Sequence, residues 1–175
     1  MVQASNARHS THGDALVADL AYPADAGGPS FSRADLVFAG VDHAHASYEV
    51  RCFLNNREAG PNTERIDAAG YAGRFHVFGH GGCYGDVGHC DVPMRSTDPT
   101  DLRPSHPLTP LDTYVTITRA VHRLLAGGTA LQSLTMVPIS LTPRRRDRAP
   151  ALDLFRFQTV ELHMYLTPSA VQPIA

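Results

Sequence analysis

Tyr48-Glu-Val-Arg-Cys-Phe-Leu54 is the stretch whose reading decides the fold. Its residues alternate. Tyr48, Val50, Cys52 and Leu54 fall on one side of an extended chain, and Glu49, Arg51 and Phe53 on the other. The residue types are β-branched, aromatic or bulky, which suits a pleated surface. The first set is the more apolar, so the spacing predicts that it faces the core and carries Cys52 in with it.

Outward from this run, short apolar segments alternate with Gly, Pro, Asp and Asn punctuation, the pattern of a mainly β domain. Further strands are expected at Ala15–Ala21, Asp35–Phe38, Gly73–Phe78, Tyr114–Ile117, Leu134–Ile139 and Leu154–Tyr165. In the last, Phe155 and Phe157 keep one phase and Val160 and Leu162 the other, so a bulge near Thr159 is expected. One segment has helical spacing. Thr118 would cap it, Ala120, Val121, Leu124 and Leu125 would form its apolar stripe, and Gly127-Gly128 would end it. The fold expected is an antiparallel β-sandwich or barrel-like domain with one short helix and a long Gly/Pro-rich loop over 79–110. Residues 1–14 read as a polar flexible tail, 15–168 as a single β-domain, and 169–175 as a C-terminal tail.

At 175 residues the chain suits one domain with a core that needs no staples. Its net charge of −2 gives no broad field for nucleic acid or an anionic membrane, so neither partner is expected. All 15 cationic residues are Arg, which removes lysine Schiff-base chemistry. No apolar run approaches a membrane span, and the polar start lacks a secretory h-region. A soluble, cytoplasmic protein is expected. Three cysteines, an odd number, argue against a pure disulfide framework.

The ten histidines are the first functional clue, because half of them lie between positions 43 and 89. His43 and His45 form His-x-His, and on a strand their backbones would be roughly 6–7 Å apart on one face. His76 and His80 would be about 13 Å apart on an extended chain, so they share an ion only if Gly79, Gly81 or Gly82 bends it. His80-x₂-Cys83 has the short spacing of a metal hook, and His89 and Cys90 follow. Asp86, Asp91 and His106 are supporting candidates. Imidazole suits copper and zinc, and thiolate suits copper(I) and zinc. The metal set expected is therefore drawn from His43, His45, His76, His80, Cys83, His89 and Cys90, with copper first and zinc the alternative. The bland alternative is a β-face histidine at 76 and a Gly-rich loop in which Cys83 and Cys90 form a disulfide or stay free.

Several runs together resemble the C-terminal β-domain of plant polyphenol oxidases and related bacterial tyrosinases. They are Tyr48-Glu-Val-Arg-Cys-Phe-Leu-Asn55, Tyr71-Ala-Gly-Arg-Phe75, the helix Thr118–Ala126, Leu134-Thr-Met-Val-Pro138 and the closing run Phe155–Tyr165. The resemblance covers roughly positions 35–165. It implies a domain that packs over a type 3 copper oxidase and shields its site, or a copper-loading partner. The sequence departs from the family in lacking the helical catalytic domain. It also carries the insertion Gly79-His-Gly-Gly-Cys-Tyr-Gly-Asp-Val-Gly-His-Cys90.

Three roles follow as expectations. The first is a copper-binding domain of the tyrosinase-associated type, with His80, Cys83, His89 and Cys90 as its ligands, delivering or guarding copper for a separate oxidase. The second is a self-contained copper oxidoreductase. It would use His43, His45, His76 and His80 on a small phenol-like or amine substrate. The third is a structural domain with a zinc- or disulfide-stapled loop.

Overall fold

The alternating run forms a strand, Tyr48–Leu54, over the residues its spacing marked. In chain order the elements are β1 (Val2–Ala4), β2 (His9–His12), β3 (Ala15–Tyr22), β4 (Phe31–Val41), β5 (Tyr48–Leu54), β6 (Tyr71–Val77), β7 (Leu111–Thr116), α1 (Thr118–Ala126), β8 (Leu131–Ser140) and β9 (Thr159–Leu166). The structure is a computed structural model. It describes residues 2–4, 9–22, 31–43, 46–79, 100, 110–141 and 154–166.

The strands build two antiparallel sheets, one of four strands in the order β1-β9-β4-β7 and one of five in the order β2-β3-β8-β5-β6. The two inner faces share one core cluster, so the architecture is a sandwich rather than a barrel. Leu36, Phe38, Leu162 and Met164 come from the first sheet. Val50, Cys52, Leu134 and Met136 come from the second. Phe38 meets Phe75 across the layers at 4.9 Å, and Phe155 lies 5.9 Å from Phe75. Burying each such side chain contributes about 1.5–3 kcal/mol.

The structure revises several boundaries. The expected 1–14 tail contains two strands. Gly13, at φ +56, makes the tight turn that folds His9–His12 back on Ala15–Ala18, and Val2–Ala4 adds to β9. Strands of three and four residues are too short to carry an apolar period. The bulge expected near Thr159 is absent. β9 begins there, and Phe155 and Phe157 stack at 4.8 Å in the segment before it. Their apolarity marked burial, not strand. β8 runs two residues past Pro138, because its neighbour pairs as far as Tyr48↔Ser140. Thr118 opens the helix, but its hydroxyl accepts from the Ala34 amide at 3.0 Å instead of capping its own helix.

β5 is buried on both faces, which half-buried alternation does not anticipate. Its inner side faces the other sheet. Over its outer side lies the loop 55–70, where Ala59 packs with Phe53, Val137, Ala15 and Tyr71. Asn55, in the left-handed region at φ 53, fixes the loop's exit. Its side chain donates to the Ala130 carbonyl at 2.7 Å and accepts from the Gln132 and Ser133 amides. Asn56 donates to the Ala69 carbonyl at 2.8 Å. Gly70, at φ +80, closes the loop where a Cβ would meet the Leu54 carbonyl oxygen at 2.4 Å. Arg57 pairs with Asp19 of β3, tying the loop across the sheet.

Candidate functional site

Register brings together side chains that are far apart in sequence. β5 and β6 pair so that Glu49 stands opposite His76 and Arg51 opposite Arg74. All four project to the outer face, beside the ground covered by loop 55–70. Glu49 Oε1 accepts from Arg51 Nε at 2.6 Å, and Arg65 Nη1 approaches the same oxygen at 4.0 Å. Glu49 Oε2 accepts from Arg74 Nη1 at 3.2 Å and lies 3.1 Å from His76 Nε2. Arg51 is further anchored through Nη1 to the Pro61 carbonyl at 3.0 Å.

The carboxylate is nearly enclosed, with 7% of its side chain exposed. Burial alone would raise its pKa. The Arg51 hydrogen bond and charge, the Arg74 charge and the His76 hydrogen bond outweigh burial and hold it below the ordinary value. Tyr71, beside this group, is shifted upward by burial while Arg74 and Arg65 pull the other way. Three guanidinium groups and an imidazole thus share one carboxylate, on a chain whose net charge is −2.

His76 was expected as a metal ligand. It sits in this basic ring with its Nε2 directed at Glu49. His43 follows β4 at the crossover to β5 and is half-buried. His45, His80, Cys83, His89 and Cys90 lie outside the described residues, as do Asp86, Asp91 and His106. Among the described residues no group of three or more His, Cys, Asp or Glu is placed to hold a metal ion. Cys52 is fully buried, and burial pushes its thiol up to about 12, so it is inert as a nucleophile or ligand. His122 stacks on Phe31 at 4.2 Å, and His163 bonds Glu161 at 2.9 Å.

The crossover end itself has defined geometry. Ser47 Oγ accepts from the Gly79 amide at 3.0 Å, and the Ser47 carbonyl accepts from the Leu141 amide at 3.0 Å. The Tyr48 hydroxyl donates to the Asp42 carbonyl at 2.8 Å. Burial, with a contribution from Asp42, keeps that hydroxyl protonated well above its ordinary value.

A second buried carboxylate occupies the outer face of the other sheet. Asp35 Oδ2 pairs with Arg33 Nε at 2.7 Å, and among the described residues Oδ1 has no hydrogen-bond partner. The Arg33 guanidinium lies 5.3 Å from the Tyr114 ring and 5.6 Å from the Tyr165 ring. Elsewhere, a cleft of about 350 Å³ between α1 and Asp67–Gly70 is lined mostly by apolar groups. Its charged pair, Asp67 and Arg123, bond each other at 3.0 Å, which leaves few polar groups to orient a ligand.

Sequence reading missed the Glu49 ring. The signal was present in two places, the outer-face pair Glu49/Arg51 and the alternating pair Arg74/His76. Only the register of β5 on β6 joins them. No protein-family model, curated protein or solved structure matches the chain. Among the described residues no helix is long and apolar enough to cross a membrane.

Proposed function

We propose that the chain is a copper-binding domain of the tyrosinase-associated type, which delivers or guards copper for a separate oxidase. A β-sandwich hosts many functions, so the fold by itself carries little of this. The observation that carries it is the contact of Ser47 with Gly79 at one end of the sandwich. Ser47 is two residues along the chain from His45, and Gly79 is one residue from His80. Ser47 and Gly79, the described residues flanking the His-x-His pair and the His/Cys-rich segment, therefore adjoin.

Two further observations sort the alternatives. The imidazole of His76 faces Glu49 among three guanidinium groups, a field that disfavours a cation. That favours the thiolate-bearing set His80, Cys83, His89 and Cys90 over the all-imidazole set of the oxidoreductase reading. The core shared by both sheets is a large apolar one, which disfavours a staple on which folding depends.

The test is an anaerobic copper(I) titration against a chromophoric chelator, with circular dichroism alongside. One copper(I) per chain is expected. Cys83→Ala should weaken binding by at least about tenfold while leaving the metal-free spectrum unchanged. Absence of uptake, or affinity unaffected by Cys83→Ala, would remove the proposal. Unfolding on metal removal would convert the reading to a structural staple.

A further inference from the structure

We propose that the basic ring on the outer face of the five-stranded sheet is a binding site for a phosphate-bearing small ligand, held by Arg65 and Arg74 beside His76 and above the Glu49 carboxylate. The argument begins with charge. Arg51 stands directly opposite Arg74 across two paired strands, an arrangement that costs stability unless an anion intervenes. Glu49 supplies one negative charge, and three guanidinium groups draw on it. Counted against Glu49, the guanidinium groups are in excess even with His76 neutral. That excess suits a phosphate dianion better than a single carboxylate.

The arrangement is layered. Glu49 and Arg51 form the inner layer, with 7% and 18% of their side chains exposed. Arg51 is held from both ends, through Nε by Glu49 and through Nη1 by the Pro61 carbonyl. Arg65, Arg74 and His76 form the outer layer, at 47%, 43% and 39% exposure. Arg74 bonds Glu49 through one nitrogen and Arg65 approaches it at 4.0 Å, so among the described residues both keep further N–H groups for a ligand. Glu49 thus acts as an orienting group that fixes where the outer donors point.

The two guanidinium donors come from two chain segments, Arg74 from the strand β6 and Arg65 from the loop 55–70. Their approach from different sides matches the several oxygens of a phosphate. β6 is the end strand of its sheet, so the ring lies at an edge. The loop is itself pinned by Asn55, Asn56 and Gly70, so Arg65 arrives from a fixed frame. Preorganisation of this kind reduces the ordering cost of binding.

The experiment is isothermal titration of the whole chain with inorganic phosphate at low ionic strength, with acetate as the comparison anion. Saturable one-to-one binding is expected, with a dissociation constant of about 1 mM or tighter. The double variant Arg65→Gln/Arg74→Gln should weaken it by at least about tenfold, with its thermal midpoint retained because both side chains are surface groups. Arg74→Lys, which keeps the charge but loses the planar fork, should fall between the two. Three results would overturn the site: no saturable heat up to about 10 mM phosphate, wild-type affinity in the double variant, or acetate binding as tightly as phosphate. None of these bears on copper uptake, so the two proposals stand or fall separately.

Discussion

The two outer faces of the sandwich carry the same local device with different outcomes. On β4, Arg33 and Asp35 are two residues apart and share a face. On β5, Glu49 and Arg51 do the same. Among the described residues Asp35 has one cation, held between the Tyr114 and Tyr165 rings, and one of its oxygens has no hydrogen-bond partner. Glu49 has both oxygens engaged, by Arg51 and Arg65 on one and by Arg74 and His76 on the other. On the first face one guanidinium meets Asp35, while His163 and Glu161 of the adjacent strand bond each other beside it. The second is a carboxylate outnumbered by its partners. An ion pair between neighbours on a strand is thus only a starting point, and what the adjacent strand and loop add decides whether charge is left over.

The comparison is sharpest under removal of each carboxylate. Glu49→Ala should cost about 3 kcal/mol in urea denaturation, because it leaves clustered guanidinium groups without their shared partner. Asp35→Ala should cost about 1 kcal/mol, since it also removes an unsatisfied buried oxygen. Equal losses would mean that the extra cations around Glu49 add nothing. Acid gives a smaller effect. The folded Glu49 carboxyl lies below its ordinary 4.5, so its contribution is present above about that pH and is lost as pH falls through the lower folded value. Thermal midpoints of wild type and Glu49→Gln should therefore converge on acidification. A constant gap would contradict the linkage. The smallest effect should come from Arg74→Gln, a change within about 0.5 kcal/mol, because the lost bond to Glu49 is offset by relief of the Arg51–Arg74 repulsion. Arg33→Gln should cost more than Arg74→Gln in the same assay, since Asp35 then loses its cation.

The sequence made the core strands legible and left the Glu49 ring hidden. Alternation at Tyr48–Leu54 placed Cys52 inside, and the apolar stripe of α1 with Gly127-Gly128 marked that helix at both ends. Asp35–Phe38 was seen as four residues and runs from Phe31 to Val41, because its ends mix polar and small residues that only pairing with β9 makes extended. Phe155 and Phe157 fit a strand by composition, because a loop packed on the core and a strand share the same apolar residues. The ring escaped for a different reason. Glu49 and His76 are 27 residues apart, and no period within either strand encodes the register that puts them 3.1 Å from each other. Of the expected metal ligands, His43 and His76 are described, and the loop that holds most of the others is not.

Cys52 gives the sandwich a built-in clock. Its sulfur is shut between the two sheets, on a strand covered from both sides, and the thiol stays protonated far above neutral pH. A thiol reagent in solution can reach it only when the layers part. With Cys83 and Cys90 replaced by serine, the rate at which Cys52 is labelled would count those openings one molecule at a time.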